Sequence, residues 1–447
     1  MRDEATRLPT WFFRSGQLLL LAYTLTRLFT DKPADYAGQL MVLMAAVAIA
    51  WFRHPLRYTF VTRLFFLAVL TQLVSWVMCL WLSPEIAESS PKVERLAAWF
   101  FLIPVAMFAP ASPRGVFGLW GCGLAVLLLA PWLCGEGWQE IRNGLRGSRI
   151  EFGLVNSQHT GMLFGVAVLG LAAFLPRYWR FSASAGRRWT RPLYLLALLV
   201  TALFVIIAQT RAIWVALLLA LLLTSLLFAC VIGTQRRRSY LARLLALGWR
   251  TRLGLAAALL VLLVLGSGIV AQRVGDLSAL QPDVQLQNAD STETESIRVR
   301  LYTWREAVDW IVQRPLFGWG GNGRGEVVRA TPGLSKAEHE RFRHLHNSYL
   351  GTLVNFGLAG LAIFVALLAY VTRCVREARR SGALDGDFFW FWLAFGCYWL
   401  VVNMFESYMY YQTGIYVFSL VAGGQLALTL RGSPGAYTAG PANRTQE

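Results

Sequence analysis

The sequence predicts an all-α polytopic integral membrane protein with about 12 transmembrane helices and one long extracytoplasmic loop that contains helices of its own. Three observations carry this. Of 447 residues, 56% are hydrophobic and only 15% charged, with a mean hydropathy of +0.47; a soluble domain of this size has no use for so much apolar material. The apolar residues fall into runs long enough to span a bilayer. The net charge of +17 is almost all arginine and is concentrated between those runs, the pattern of the positive-inside rule rather than of a nucleic-acid-binding face.

In chain order the runs lie near 11–29, 36–52, 58–82, 96–110, 114–134, 151–176, 192–209, 212–233, 253–272, 348–372, 387–404 and 408–430, the fourth being short. The chain then divides into helices one to nine over 1–272, a polar loop over 273–347, helices ten to twelve over 348–430, and a Gly-, Pro- and Ala-rich tail over 431–447 that reads as disordered. With the N-terminus cytoplasmic, the basic connections fall on one side: Arg53 and Arg57, Arg177 to Arg191, Arg236 to Arg252, and Arg373 to Arg380. Both termini are then cytoplasmic. The long loop and the shorter ones near 83–95 and 135–150 face outward. Within the long loop 275–296 reads as irregular. Leu301, Trp304, Val308 and Ile311 recur at helical spacing from Arg300 to Gln313. That helix ends before Pro315 and the turn Gly318-Trp319-Gly320-Gly321-Asn322-Gly323.

Chemistry-bearing residues gather on the outer side. His344-Leu345-His346-Asn347-Ser348 sits where the polar loop meets the tenth run. Asn347 and Ser348 are helix N-cap residues. The partial positive charge of that helix end favours a neutral, base-competent His346, and His344 shares its face in an extended segment. Arg211, at the junction of the seventh and eighth runs, is an arginine on the side where the positive-inside rule does not expect one; its guanidinium suits phosphate oxygens. Arg300 opens the loop helix, with Arg298 beside it. Asn156 and His159 stand at the outer end of the sixth run, preceded by Arg142, Arg146 and Arg149, and Lys92 and Arg95 flank the fourth; these are supporting candidates for an anionic or sugar ligand. No metal site is expected. The six cysteines lack CxxC spacing and His339-Glu340 is not followed by the second histidine of HExxH. The glycine-rich turn lacks the lysine of a P-loop.

These residues resemble a known family. His346-Asn347, nine residues, then Gly357-Leu358-Ala359-Gly360 is similar to the H[NSQ]x9GxxG signature of the O-antigen ligases. Arg300 to Trp304 with Ala307, Pro315, Gly318 and Gly320, and Thr210-Arg211-Ala212, resemble segments upstream of it. The resemblance covers roughly 205–365 and implies a GT-C-like glycosyltransferase of the bacterial inner membrane. It implies transfer of a polysaccharide from undecaprenyl pyrophosphate to lipid A–core oligosaccharide on the periplasmic face, inverting, independent of metal and without a cofactor. It gives His346 the role of the essential histidine and Arg211 and Arg300 those of pyrophosphate-binding arginines, with Arg298 the alternative to Arg300. Its partners are the donor, the acceptor and membrane lipids, with no nucleic acid. O-antigen polymerases and protein O-oligosaccharyltransferases share the signature. Arg142…Gly153 and Arg314…Gly325 have the Rx10G spacing of some polymerases, at a frequency that arginine and glycine content alone supplies. A flippase or transporter of lipid-linked sugars would carry charge along its helices, and these runs are nearly free of it.

Overall fold

A computed structural model describes residues 8–52, 54–231 and 292–430. Arg53, the ninth run at 253–272, the basic segment 236–252, most of the irregular segment (275–291) and the tail 431–447 lie outside the described residues. The described residues form helices and turns, with no strand among them. The helices are α1 (Thr10–Thr26), α2 (Asp31–Ala50), α3 (Phe60–Leu82), α4 (Glu94–Ala97), α5 (Leu102–Phe108), α6 (Pro113–Leu133), α7 (Trp138–Leu145), α8 (Ser157–Ser184), α9 (Arg191–Ile207), α10 (Arg211–Val231), α11 (Thr292–Gln313), α12 (Gly323–Ala330), α13 (Lys336–Arg341), α14 (Ser348–Arg380), α15 (Gly386–Val402) and α16 (Gln412–Leu430). Eight helices among the described residues are long and apolar enough to cross a membrane, and α15 is a shorter apolar helix.

Several expected runs change shape. The run at 96–110 is broken into α4, a 3-10 turn at Ala98–Phe101 and α5. Every residue of α5 is buried by protein, so this apolar run fills the bundle interior and does not face lipid. The sixth run starts late: 151–156 is a turn with positive φ at Phe152, Gly153 and Val155, and α8 begins at Ser157. Among the described residues the loop helix already runs from Thr292, ahead of the expected start at Arg300. Residues 408–410 form a 3-10 turn before α16.

The break in α14 determines where the site lies. Gly357 has φ 61° and ψ −159°, outside helical space, so the helix ladder is interrupted there and four backbone groups lose their helical partners. The glycine-rich turn supplies replacements. Trp319 N–H donates to Val354 O (2.8 Å) and Gly320 N–H to Asn355 O (3.0 Å), while Pro315 O accepts from Leu358 N–H (2.8 Å) and Leu316 O from Ala359 N–H (3.1 Å). Buried Asn355 ties the joint together. Its side chain accepts from Arg324 N–H (2.8 Å) and donates to Gly321 O (2.9 Å), and its carbonyl also accepts from Ser75 Oγ on α3 (2.9 Å). Gly357 is the break into which the turn is strapped.

At one end of the bundle lie Arg57, Arg180, Arg188, Arg376 and Arg380. There Arg177 of α8 also pairs with Asp385 (2.7 Å) and Asp387 just before and within α15. An apolar cavity of about 790 Å³ runs between α6, α8 and α16, lined by Trp120, Phe174, Tyr178 and Leu420 with Arg114 and Arg177 at the basic end. None of the histidine-cluster residues lines it.

At Gly357 an added Cβ would meet backbone atoms of Leu316 and Phe317 at 2.3–2.6 Å, in a φ that side chains rarely adopt. Gly357→Ala is therefore expected to destabilise the protein by at least about 2 kcal/mol. Gly396→Ala in α15, where nothing lies within 4 Å of the new Cβ, should stay within about 0.5 kcal/mol of wild type. Equal apparent melting temperatures for the two variants in detergent would refute the strapped break.

Candidate active site

The site forms at the other end of the bundle, where the starts of α8, α10, α14 and α16 meet the ends of α9 and α15. His346 is fixed from several directions. Asn347 caps α14, its side-chain oxygen accepting from Tyr349 N–H (3.0 Å) and Leu350 N–H (3.1 Å). Ser348 Oγ donates to Asn403 Oδ1 (2.6 Å) and Ser348 N–H to Asn403 O (2.9 Å), clamping the start of α14 to the end of α15. Trp304 of α11 donates its indole N–H to Leu345 O (2.7 Å). His346 itself has φ 48°, left-handed backbone that a non-glycine residue adopts at a cost. The histidine rings lie 4.0 Å apart between centroids.

Both rings meet one carboxylate. Glu406, in the connection after α15, accepts from His346 Nδ1 at Oε2 (2.9 Å) and from His344 Nε2 at Oε1 (3.1 Å). Oε1 also accepts from Ser407 N–H (2.7 Å). The Glu406 side chain is 1% exposed, against 16% for His346 and 17% for His344. Burial alone raises a carboxyl; the hydrogen bonds and charge of the two histidines outweigh it and hold Glu406 well below the usual carboxylate range. Burial pushes His344 down, against the raising pull of Glu406. A histidine held below its ordinary value is mostly neutral at pH 7, so there its N–H donation, more than a charge pair, keeps the carboxylate ionised.

Arginines surround this core. With its amide oriented to satisfy its neighbours, Gln158 donates to Glu406 Oε2 (2.9 Å) and accepts from Arg300 Nη2 (3.0 Å). Burial pushes the Arg300 guanidinium down while Glu406 raises it, and its Nε is buried without a hydrogen-bond partner. Arg149 is within electrostatic reach of Arg300 and of Arg211. Arg211 opens α10 beside Thr210, whose Oγ1 donates to Ser157 O (3.0 Å). Arg324 of α12 is stacked 4.1 Å over the Tyr410 ring, feels the Glu406 charge, and keeps Nη1 buried without a partner.

The remaining sequence candidates separate. Arg298 pairs with Glu338 and donates to Gly333 O (3.3 Å), holding the segment around α13. Asn156 caps α8 by accepting from Gln158 N–H (2.8 Å) and His159 N–H (3.1 Å), which orients Gln158 toward Glu406. His159 is fully buried beneath the cluster, with Nδ1 2.5 Å from Thr413 Oγ1 and its ring edge-on to Tyr411. Arg142 and Arg146 are exposed on and after α7. Arg95 pairs with Glu88 (2.5 Å), and Lys92 with φ 47° offers its carbonyl to Gln72. Sequence reading missed Glu406, Gln158, Arg324 and Tyr411, whose hydroxyl is 3.3 Å from His344 Nε2. A signal for Glu406 was present: it is the lone acidic residue between Asp387 and the tail, set between two apolar runs.

His344, His346 and Glu406 each place a ligand-type atom within 4.8 Å of the others, a spacing that a cation could use. Both carboxylate oxygens are already engaged with the imidazoles at hydrogen-bond distance.

Residues 196–365 match the family described as O-antigen ligase. The match spans Arg211, Arg300, His344, His346 and Gly357, and supports the O-antigen ligase family and an O-antigen ligase- or polymerase-type, glycosyltransferase-like activity in general. No curated protein matches the chain.

At His344 the unfolded chain takes up a proton near pH 6.5, while the folded protein resists it until lower pH. Folding stability contributed at this group is therefore present above that pH and lost as pH falls. His344→Asn should make the drop in melting temperature between about pH 7.5 and 5.5 shallower than in wild type. Equal slopes would contradict a buried neutral imidazole.

Proposed function

Proceeding from the O-antigen ligase match, we infer that this membrane protein transfers a polysaccharide from undecaprenyl pyrophosphate to lipid A–core oligosaccharide, with inversion and without a metal. The observation that carries this reading is the arrangement of one ionised carboxylate, two imidazoles and the arginines Arg300, Arg324, Arg149 and Arg211 at one end of an apolar helix bundle. Positive charge exceeds negative there, as a pyrophosphate needs. The site lies at a helix-bundle end, where a lipid-borne donor and a water-borne sugar can meet. The arginine-rich opposite end is then cytoplasmic, with both termini on that side, and the site faces the periplasm of a bacterial inner membrane. The loop 273–347 supplies Arg300 and carries the chain to His346.

In the reaction the acceptor hydroxyl oxygen attacks the anomeric carbon and its proton passes to His346. The new C–O bond forms as the bond to pyrophosphate breaks. The leaving group departs with the bonding electrons, its charge met by Arg300 and Arg211. Asn347, Asn156 and the buried His159 act by holding the base, Gln158 and the floor of the site in place. Arg142, Arg146, Lys92 and Arg95 remain candidates for contacts with the sugar or anionic parts of the substrates.

Purified protein with donor lipid and lipid A–core tests this. Capped lipopolysaccharide should form, and its yield should not change with EDTA. Loss with EDTA and recovery with a divalent cation would turn the histidine–glutamate cluster into a cation site and overturn the metal-free reading. Extension of donor chains without acceptor would make the protein a polymerase. His346→Ala should abolish transfer in a protein that still folds, with a lowered melting temperature because buried Glu406 loses one of its donors, and His344→Ala should be milder in transfer. Arg300→Ala and Arg211→Ala should each lower transfer by about 10²-fold or more, with lysine rescuing only in part because it lacks the bidentate fork. Arg298→Ala, which breaks a pair with Glu338 rather than a contact to the Glu406 cluster, should transfer within about threefold of wild type; a loss equal to that of Arg300→Ala would reverse the assignment.

A further inference from the structure

We propose that Glu406 is the positioning residue of the base: it fixes His346 in the Nδ1–H tautomer, leaving Nε2 to take the acceptor's proton, and through Gln158 it links that base to Arg300. This rests on the transferase reading and adds to it a residue outside both the histidine signature and the matched segment 196–365.

The geometry carries the inference. An ionised carboxylate only accepts, so the 2.9 Å contact of Glu406 Oε2 with His346 Nδ1 requires the proton on Nδ1. A neutral ring then has its lone pair on Nε2. Oε1 is held by Ser407 N–H and His344 Nε2, so the carboxylate cannot rotate without losing partners. Gln158 shares Oε2 with His346 and accepts from Arg300. A shift of Arg300 toward a bound anion therefore pulls on the amide that braces the carboxylate.

During transfer the acceptor O–H bond breaks and its proton binds His346 Nε2. The ring becomes an imidazolium whose Nδ1–H still donates to Glu406. The carboxylate stays ionised throughout, and the imidazolium returns its proton to water after the product leaves. Glu406 thus orients the ring and stabilises its charged form without itself carrying the proton. Other charges face Glu406 from the packed elements: His344 before α14, Arg300 on α11, Arg324 on α12 and His159 on α8. From its own connection come Tyr408 and Tyr411, both with phenols pushed up by burial, Tyr411 to about 12. Arginines and high-lying phenols do not titrate between pH 5 and 8.

The test is the pH–rate profile of purified wild type, Glu406→Gln, Glu406→Asp and His346→Ala. An amide presents a donor as well as an acceptor and carries no charge, so it fixes neither tautomer nor imidazolium. Glu406→Gln should lower kcat by about 10- to 100-fold with donor KM within about threefold of wild type. Its acid limb should move to lower pH, because an imidazolium without its carboxylate gives up its proton more readily. Glu406→Asp keeps the charge and should hold the limb near its wild-type position. If Glu406→Gln does not fold, Glu406→Asp carries the test alone through a lowered kcat with an unmoved limb. Wild-type kcat in Glu406→Gln, or in that variant a lowered kcat with an unmoved limb, would overturn the proposal, as would wild-type kcat in Glu406→Asp. Near-normal turnover of His346→Ala would instead remove the base reading on which it rests, so the two failures are distinguishable.

Discussion

A carboxylate buried at 1% exposure must be paid for with donors, and much of this end of the helix bundle is arranged to supply them to Glu406. Two imidazoles, a backbone N–H and the Gln158 amide converge on its two oxygens. The donors arrive from three parts of the chain. The histidines precede α14, Gln158 opens α8, and Ser407 follows α15. The carboxylate therefore does more than ion-pair. It fixes the mutual placement of three helix ends and, through Gln158, of Arg300 on the loop helix. Removing it would leave several buried donors unsatisfied at once, each at a cost of about 1–3 kcal/mol.

The second constraint is the break at Gly357. A helix cannot be interrupted in apolar surroundings unless its freed N–H and C=O groups find partners. The segment Pro315–Gly320 provides four of them, and Asn355 fastens the same segment to α12 and α3. The first turns of α14, which carry the Asn347 cap just after His346, are thereby attached to the loop that carries Arg300. The spacing between histidine and glycine in the signature is thus a mechanical distance: it separates the base from the joint at which the loop docks.

The transmembrane class was legible because burial in lipid needs only long apolar runs, and those at 58–82, 114–134 and 192–209 became α3, α6 and α9 nearly as read. The run at 96–110 was equally apolar, yet α5 is enclosed by protein; composition does not distinguish lipid from protein as the apolar neighbour. His346, Arg211 and Arg300 were singled out because charged and titratable residues at the ends of apolar runs are conspicuous. Glu406 and Gln158 were not singled out because their role lies in contacts across 60 to 250 residues of chain, for which local pattern holds no information. The choice between Arg298 and Arg300 also required structure. The two differ by one half-turn of α11, and only the fold shows one pairing with Glu338 and the other meeting Gln158.

The central claim concerns the protonation pattern of one ring, and ¹⁵N NMR of histidine-labelled protein in nanodiscs reads it directly. The account predicts that His346, identified by the signal lost in a His346→Asn sample, carries its proton on Nδ1 with an unprotonated Nε2 at the pH of transfer. A His346 protonated at Nε2 with a bare Nδ1, or doubly protonated at that pH, would contradict it.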